Sequence, residues 1–270
     1  MTTKDLVPDL EVILAAKRRH LVERKSKTPI EAVRALASMQ KRPQPVLSTV
    51  AHDTPVMIMG QIKHALPQSD DGSQTYDPVA NALRYASVGV DAVALFTDAT
   101  LYARGLDDLV LVSRAVNMPV ISQDFILDEY QVVETRAAGA SALVLYAAIL
   151  EPVALRSLMS ATHRNRMTAI IEVQTAEELE YALTLSPNVI GLNCRDAHTW
   201  RLNLDHAHHL RRLVPAHVRV MMNTGLATLD EVKAVLSVGV HALLVRDSIL
   251  LDPDQTQALK ALVRAGGALD

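Results

Sequence analysis

Eight short apolar runs, alternating with amphipathic stretches of helical periodicity, are the feature that most restricts how this chain can fold. The predicted strands are VMIMGQI (56–62), DAVALF (91–96), PVISQ (119–123), SALVLYA (141–147), TAIIEV (168–173), NVIGLN (188–193), VRVMMN (218–223) and HALLVR (241–246). The helical patterns between them include DPVANALRYAS, LDDLVLVSRAV, DEYQVVETRAA, TAEELEYALT and LDEVKAVLSV. Near-continuous apolar strands separated by helices are typical of a parallel sheet that is covered on both faces.

A repeated junction narrows the fold class further. The segments ASVGVDAVALF, RAAGASALVLY and LSVGVHALLVR each combine a helix end, a glycine at its C-cap and a strand. Eight such units predict an α/β fold of the (β/α)8 TIM-barrel type. The alternative, an open doubly wound sheet, lacks the expected G-x-G-x-x-G after its first strand.

The chain is predicted to form a single barrel domain over residues 1–270. Residues 55–270 would be the barrel and residues 1–50 an N-terminal helical extension with the patterns LEVILAAKRRHLVERK and TPIEAVRALASMQ. Thr28 is predicted to be the N-cap of the second helix, with Pro29 at its first position. Such an extension can plug the bottom of a barrel or cover its catalytic top.

Composition excludes several classes of partner. The formal net charge is −3 and aromatic residues make up 3% of the chain, which argues against a nucleic-acid partner. No apolar run approaches the roughly 18–20 residues that span a bilayer, so we predict no membrane partner and a cytoplasmic location.

Cys194 is the single cysteine and excludes an intrachain disulfide. His206 and His209 lie three apart on an outer helix without further ligands, so a solvated face is favoured and no metal site is predicted.

Working residues of this fold lie at the C-terminal ends of strands and in the loops that follow them. Glu172 ends an apolar run, so its carboxylate lies at the barrel mouth or is buried at high cost. We interpret it as a general base or an electrostatic anchor, and the alternative is a structural partner for Lys63 or Arg195. Lys63 could bind an anion or could be a solvated loop lysine.

Other strand ends suggest ligand contacts. Asn193 and Arg195 are interpreted as a donor pair for a carboxylate or hydroxyl, or as an ordinary turn. Cys194, between them, should point away from the mouth by strand alternation and be inert. In the loops after strands 7 and 8, where this fold commonly binds phosphate, Gly225 is permissive, whereas Asp247 brings a negative charge that Arg246 could compensate.

These strand ends resemble those of the indole-3-glycerol phosphate synthase family over nearly the whole chain. The matching stretches are IMGQIKHALPQ, ALFTDATLYARGLDDL, MPVISQDFILDEYQVVETRAAGASALVLY, IIEVQTAEELEYAL, VIGLNCRDAHTWRLNLD, NTGLATLDEV and GVHALLVRDSIL. That family closes an indole ring on an anthranilate-derived ribulose phosphate, losing carbon dioxide and water. The resemblance implies no metal, no organic cofactor and a small-molecule substrate that is phosphorylated in the family. Neither a monomer nor a homo-oligomer is favoured.

The resemblance also implies roles for individual positions. It places a carboxylate at 61, a substrate-binding lysine at 63, a general-acid lysine at 123, a base at Glu172, ligand contacts at Asn193 and Arg195, and a phosphate cradle at 224–225 and 246–247. Several positions depart from this pattern. Gln61 replaces the family's glutamate and Gln123 its lysine, and Leu66 and Gln68 replace two serines of the loop after the first strand. Asn223 and Thr224 stand in place of Glu-Ser, and Arg246 and Asp247 in place of Gly-Ser. The residues that remain are Lys63, Phe125, Glu172, Asn193, Arg195 and Gly225.

The glutamine at position 123 bears directly on the chemistry. Ring closure needs a proton on the ketone oxygen, and an amide can polarise a carbonyl but cannot donate that proton. Loss of a general acid typically costs about 10²- to 10⁴-fold in rate. Relative to the family, Gln61 removes one negative charge and Gln123 removes one positive charge, so the net charge of the site is unchanged. If the two residues are neighbours, this predicts a site that was remodelled as a unit.

Three functional hypotheses follow from this pattern. The first is a carboxy-lyase of this family with a low rate in the family's reaction. The second is a non-catalytic paralogue that binds a related ligand or a partner. The third is a barrel enzyme retuned to a different substrate without the phosphate.

Overall fold

The strands of the chain close into a barrel. In the computed structural model, which describes residues 10–47, 56–62, 76–101, 104–196, 199 and 201–266, the strands are β1 Met57–Ile62, β2 Ala92–Phe96, β3 Val120–Gln123, β4 Ala142–Tyr146, β5 Thr168–Val173, β6 Val189–Leu192, β7 Arg219–Leu226 and β8 Ala242–Val245. Each strand pairs in parallel with the next, and β8 pairs in parallel with β1. The predicted (β/α)8 barrel is confirmed, and an open sheet is excluded.

Each strand buries both of its faces. One set of side chains fills the barrel interior, including Met59, Ile121, Ile170, Met221 and Leu244. The alternate set packs between the strands and the surrounding helices, including Ile58, Val93, Leu143, Ile171 and Leu243. This double burial explains why the strands read as continuous apolar runs in the sequence.

Helices surround the barrel and precede it. Their bounds are α1 Leu10–Lys27, α2 Ile30–Met39, α3 Pro78–Ser87, α4 Leu106–Ala115, α5 Glu129–Ala137, α6 Pro152–Arg164, α7 Ala176–Thr184, α8 Leu204–Leu213, α9 Leu229–Leu236, α10 Asp247–Leu250 and α11 Pro253–Gly266. Several begin at a side chain that accepts a backbone N–H of the first turn: Asp77, Asp128, Thr175, Asn203 and Thr228. No helix among the described residues is long and apolar enough to cross a membrane.

The predicted helix-to-strand junctions are confirmed by backbone geometry. Gly89, Gly139 and Gly239 have φ values of 71°, 97° and 77°, in the left-handed region. Glycine adopts that conformation without the steric cost that a Cβ atom would impose. The same turn therefore reverses the chain after α3, α5 and α9.

Two details of the sequence prediction were wrong. Thr28 does not cap α2: Pro29 occupies the N-cap position without a side-chain cap, because the Pro29 carbonyl accepts the first N–H groups of the helix, from Ala32 and Val33. Strand β7 does not end at Asn223 but continues to Leu226, with its register against β8 shifted between Met222 and Leu226. The predicted Asn-Thr-Gly loop is thus an irregular part of a strand.

The N-terminal extension reaches both ends of the barrel. Lys17 of α1 pairs with Asp98 at 3.1 Å and with Asp124, beyond the C-terminal ends of β2 and β3, and all three side chains are buried. Residues Val46 and Leu47, which follow α2, pack into the interior cluster of the barrel. They lie at its opposite end, because the hydroxyl of Thr168 at the start of β5 donates to the Val46 carbonyl.

The buried triad of Lys17, Asp98 and Asp124 holds two carboxylates around one ammonium. Burial raises the pKa of Asp124 to about 6, and Asp98 adds to this, although Lys17 opposes it. Burial also raises the pKa of Asp98, but Lys17 and Thr100 more than offset this, so its net shift is downward. Asp124 therefore takes up the proton first as the pH falls.

Candidate active site

A ring of polar side chains closes the interior of the barrel at the C-terminal ends of its strands. Gln61, Gln123, Glu172 and Asn223 each follow, by two positions, a residue of the interior apolar cluster. Because successive strand residues alternate between faces, these side chains also point inward. All four are buried. The apolar core thus ends in a polar layer at the barrel mouth.

The polar layer is a continuous chain of hydrogen bonds that leads to one carboxylate. Nε2 of Gln61 donates to Oε1 of Gln123 at 3.2 Å, and Nε2 of Gln123 donates to Oδ1 of Asn223 at 3.3 Å. Nδ2 of Asn223 donates in turn to Oε2 of Glu172. On the other side, Nδ2 of Asn193 donates to Oε1 of Glu172 at 2.9 Å. Both carboxylate oxygens of Glu172 therefore accept amide protons.

Glu172 is poised to exchange a proton near neutral pH. Burial raises its pKa to about 7, while the hydrogen bonds from Asn193 and Asn223 act in the opposite direction. Desolvation disfavours the charged carboxylate, and donors to that carboxylate favour it. A pKa near the working pH suits a general base or acid. The alternative from the sequence was an ion pair with Lys63 or Arg195. Lys63 lies outside the described residues, Arg195 pairs with Glu231, and the Glu172 carboxylate is held by two amides.

The predicted neighbourhood of Gln61 and Gln123 is confirmed by their direct hydrogen bond. An oppositely charged pair at these two positions would have its charges within contact distance, so the idea that they changed together keeps its geometric basis. Lys63, Leu66 and Gln68 lie outside the described residues. The predicted anion-binding role of Lys63 stays a prediction.

Asn193 and Arg195 make different contacts within the protein, and their predicted role as a donor pair for a ligand stays a prediction. The backbone N–H of Arg195 lies 3.4 Å from Oδ1 of Asn193, which orients the Asn193 amide so that its NH2 group faces Glu172. The guanidinium of Arg195 pairs with Glu231 of α9 at 3.0 Å and donates to the carbonyl of Gly225 at 2.9 Å. The contacts of Arg195 therefore support the β7 irregularity and the position of Asn193.

The ends of β7 and β8 bring Thr224, Gly225, Arg246 and Asp247 together at the rim. Thr224 is buried, Arg246 is exposed and Asp247 is partly buried. The hydroxyl of Tyr85, which is fully buried in α3, donates to Oδ1 of Asp247. Burial raises the pKa of Asp247, and the Tyr85 hydrogen bond and Arg246 oppose that shift.

An aromatic pair forms another side of the mouth. The rings of Phe125 and Tyr146 have centroids 5.4 Å apart and are tilted by 46°. Tyr146 packs against the interior cluster and lies in register with Glu172 on the neighbouring strand. The pair therefore places two tilted aromatic rings at the mouth, with Tyr146 on the strand beside Glu172.

Two contributors were missed by sequence reasoning as site residues: Tyr85 and Tyr146. The inward parity of Tyr146, two residues after Val144, could have revealed it. Tyr85 reaches the rim from an outer helix, and no local pattern in the sequence indicates that contact.

Residues considered for other chemistry lie elsewhere. Cys194 is buried with the outer core, and burial raises the pKa of its thiol to about 12, with Glu172 adding to the shift. It is therefore not a thiolate at neutral pH. His206 contacts the carbonyl of Gln174 at 2.6 Å. Within the described ranges no group of three or more His, Cys, Asp or Glu side chains could hold a metal ion.

Comparison with known proteins supplies the family. The family model described as Indole-3-glycerol phosphate synthase matches residues 10–262. An indole-3-glycerol phosphate synthase of Roseiflexus castenholzii is 32% identical over 268 residues, covering 96% of this chain and 98% of the relative. Proteins of the same name from Dehalococcoides mccartyi and Lactiplantibacillus plantarum are 31% and 30% identical, covering 94% and 90% of this chain and 99% and 95% of their own lengths. Because the family model matches most of the chain and these relatives are at least 30% identical over nearly its whole length, this chain belongs to the indole-3-glycerol phosphate synthase family.

Proposed function

We propose that this chain is a carboxy-lyase of the indole-3-glycerol phosphate synthase type with a low rate in the family's reaction. The substrate class is a carboxyphenylamino-deoxyribulose, carrying a phosphate in the family. Ring closure joins the aryl carbon to the ketone carbon, carbon dioxide leaves, and the former ketone oxygen departs as water. The observation that carries the proposal is Glu172, which is buried, has a pKa near 7 and is held by two amides at the barrel mouth.

The residues of the mouth divide the work unequally. Glu172 serves as the base that removes a proton as the indole ring becomes aromatic, and Asn193 and Asn223 hold it in place. Gln123 can polarise the ketone through its NH2 group but cannot supply the proton that the oxygen needs during ring closure. Because a general acid contributes about 10²- to 10⁴-fold and a typical enzyme turns over about 10 times per second, we expect roughly 0.001–0.1 turnovers per second.

Lys63 is proposed as the remaining acid or anion-binding group. It follows β1 directly in the sequence, one residue beyond Ile62. Arg195 is proposed to act through Gly225 and Glu231, which it contacts, and so to shape the rim on the substrate side. Phe125 and Tyr146 are proposed to pack against the carboxyphenyl ring.

A fluorescence assay tests the proposal. The purified protein is incubated with 1-(2-carboxyphenylamino)-1-deoxyribulose 5-phosphate and formation of the indole product is followed with time. We expect slow turnover that Glu172→Gln abolishes, whereas the matched change Glu177→Gln on the exposed face of α7 leaves it unaltered. A rate near 10 per second would contradict the proposed impairment. Complete absence of product in every variant would instead favour a non-catalytic paralogue.

A further inference from the structure

The space at the C-terminal ends of β7 and β8 is filled by side chains of the protein itself. A methyl group built on Gly225 would collide with Oε1 of Gln61 and come within 2.9 Å of Cγ of Arg246. A glycine at such a strand end normally lets a ligand approach the backbone closely. Here the space above Gly225 is occupied by an amide and by the methylene groups of an arginine.

A carboxylate is fixed beside this filled space. Asp247 accepts a hydrogen bond from the Tyr85 hydroxyl. Tyr85 is itself immobilised: its ring packs so closely on Gly60 that a methyl group there would collide with it, and its hydroxyl lies 3.2 Å from the Gln61 carbonyl. The anionic group at the ends of β7 and β8 is thus a carboxylate of the protein itself, held by a buried tyrosine.

The charges at this rim already balance within the described part of the chain. Arg195 pairs with Glu231, and the positive charge of Arg246 favours the ionised carboxylates of Asp247 and Glu231. A phosphate dianion placed here would meet the Asp247 carboxylate, and like charges a few ångströms apart repel strongly at a partly buried site. An alcohol would instead donate a hydrogen bond to that carboxylate.

We propose that Asp247 makes this site select a ligand that carries an uncharged hydroxyl group, and no phosphate, at the end that meets β7 and β8. Discrimination of this kind works by placing a repulsive group where the rejected ligand would bind. The inference rests on the proposed function for the rest of the ligand, the carboxyphenylamino-deoxypentulose skeleton, and adds the identity of one end.

Calorimetric titration of the intact chain tests this selection. The probes are 1-(2-carboxyphenylamino)-1-deoxyribitol, in which the ketone is reduced to an alcohol, and the same compound with a 5-phosphate. We expect the hydroxyl compound to bind about 10-fold or more tightly than the phosphate compound. Asp247→Asn keeps the acceptor for Tyr85 but removes the charge. In this variant the ratio of the two affinities, hydroxyl compound over phosphate compound, should fall by about 10-fold or more. Asp254→Asn, on the exposed face of α11, should leave the ratio unchanged.

Each outcome separates the two proposals. Preference of the unaltered protein for the phosphate compound, or an unchanged ratio in Asp247→Asn, would overturn the inference and leave the proposed function standing. Failure of both compounds to bind the unaltered protein would overturn the proposed function and the inference with it. Thermal unfolding of each variant checks that it folds. If Asp247→Asn does not fold, Asp247→Ser provides a second variant with an uncharged side chain.

Discussion

Replacing Gln61 by glutamate and Gln123 by lysine, singly and together, probes how the barrel mouth distributes charge. Both amides are buried and joined by a 3.2 Å hydrogen bond. Among the described residues, the side-chain partners of the two glutamines are amides, so a single new charge at either position gains no opposite charge at that distance. Since an unpaired buried charge typically costs about 3–5 kcal/mol, each single variant should lose about that much free energy of unfolding.

The double variant should lose much less free energy of unfolding than the two single variants lose together. Two opposite charges about 4 Å apart attract by about 4 kcal/mol at an effective dielectric constant of about 20, and side-chain ordering removes part of this. We therefore expect a coupling free energy of about 2–3 kcal/mol between positions 61 and 123. The restored ammonium can also donate a proton to the ketone oxygen, so indole formation should rise by about 10²-fold or more.

Urea unfolding of the four proteins and the fluorescence assay measure both effects. A matched control combines Gln61→Glu with Gln131→Lys. Gln131 is also a buried amide, but it bonds to the backbone of Phe125 and Leu127 and not to the mouth. The control pair should be additive within about 0.5 kcal/mol. Additivity in the 61–123 pair as well would refute the view that the two glutamines form one remodelled unit.

Three further outcomes are expected. Burial raises the pKa of Glu172 to about 7 and of Asp124 to about 6, above the ordinary values of 4.5 and 3.8 for these side chains. The folded state therefore holds extra protons, and the free energy of unfolding should fall as the pH rises from about 4 to 7, by about 3 kcal/mol for Glu172, in urea titrations. Lys17→Met should cost about 3–5 kcal/mol because it leaves buried carboxylates unpaired, whereas Lys25→Met at an exposed pair should cost under about 1 kcal/mol. Leu47→Ala should cost about 2–5 kcal/mol in the same unfolding assay by emptying the barrel bottom.

Much of the fold could be predicted from local pattern. The strand runs and the glycine junctions are set by burial on two faces and by left-handed backbone turns, which are both visible in a few adjacent residues. Inward parity along β1, β3 and β5 is likewise a local property, and it is enough to place Gln61, Gln123 and Glu172 in one layer.

The remaining features depend on contacts between distant parts of the chain. The Tyr85–Asp247 bond joins an outer helix to the last strand loop, and the Arg195–Glu231 pair joins two neighbouring units. The Thr28 prediction was wrong because the Thr28 carbonyl accepts the hydroxyl of Tyr130 on α5 and the helix starts one residue later, at the Pro29 carbonyl, which the capping pattern does not reveal. Spacing in a sequence shows which groups could bond, and packing decides which of them do.

The hydrogen bonds of the mouth all run in one sense, from Gln61 through Gln123 and Asn223 to Glu172. When Glu172 gains a proton on the oxygen that faces Asn223, that oxygen becomes a donor, and Asn223 must rotate to present its carbonyl. Gln123 and then Gln61 must rotate in turn, because each amide would otherwise set one NH2 group against another. The protonation state of Glu172 on β5 thereby determines the orientation of the Gln61 amide on β1, beside the backbone of Gly225. Rotation of side-chain amides is sufficient for this.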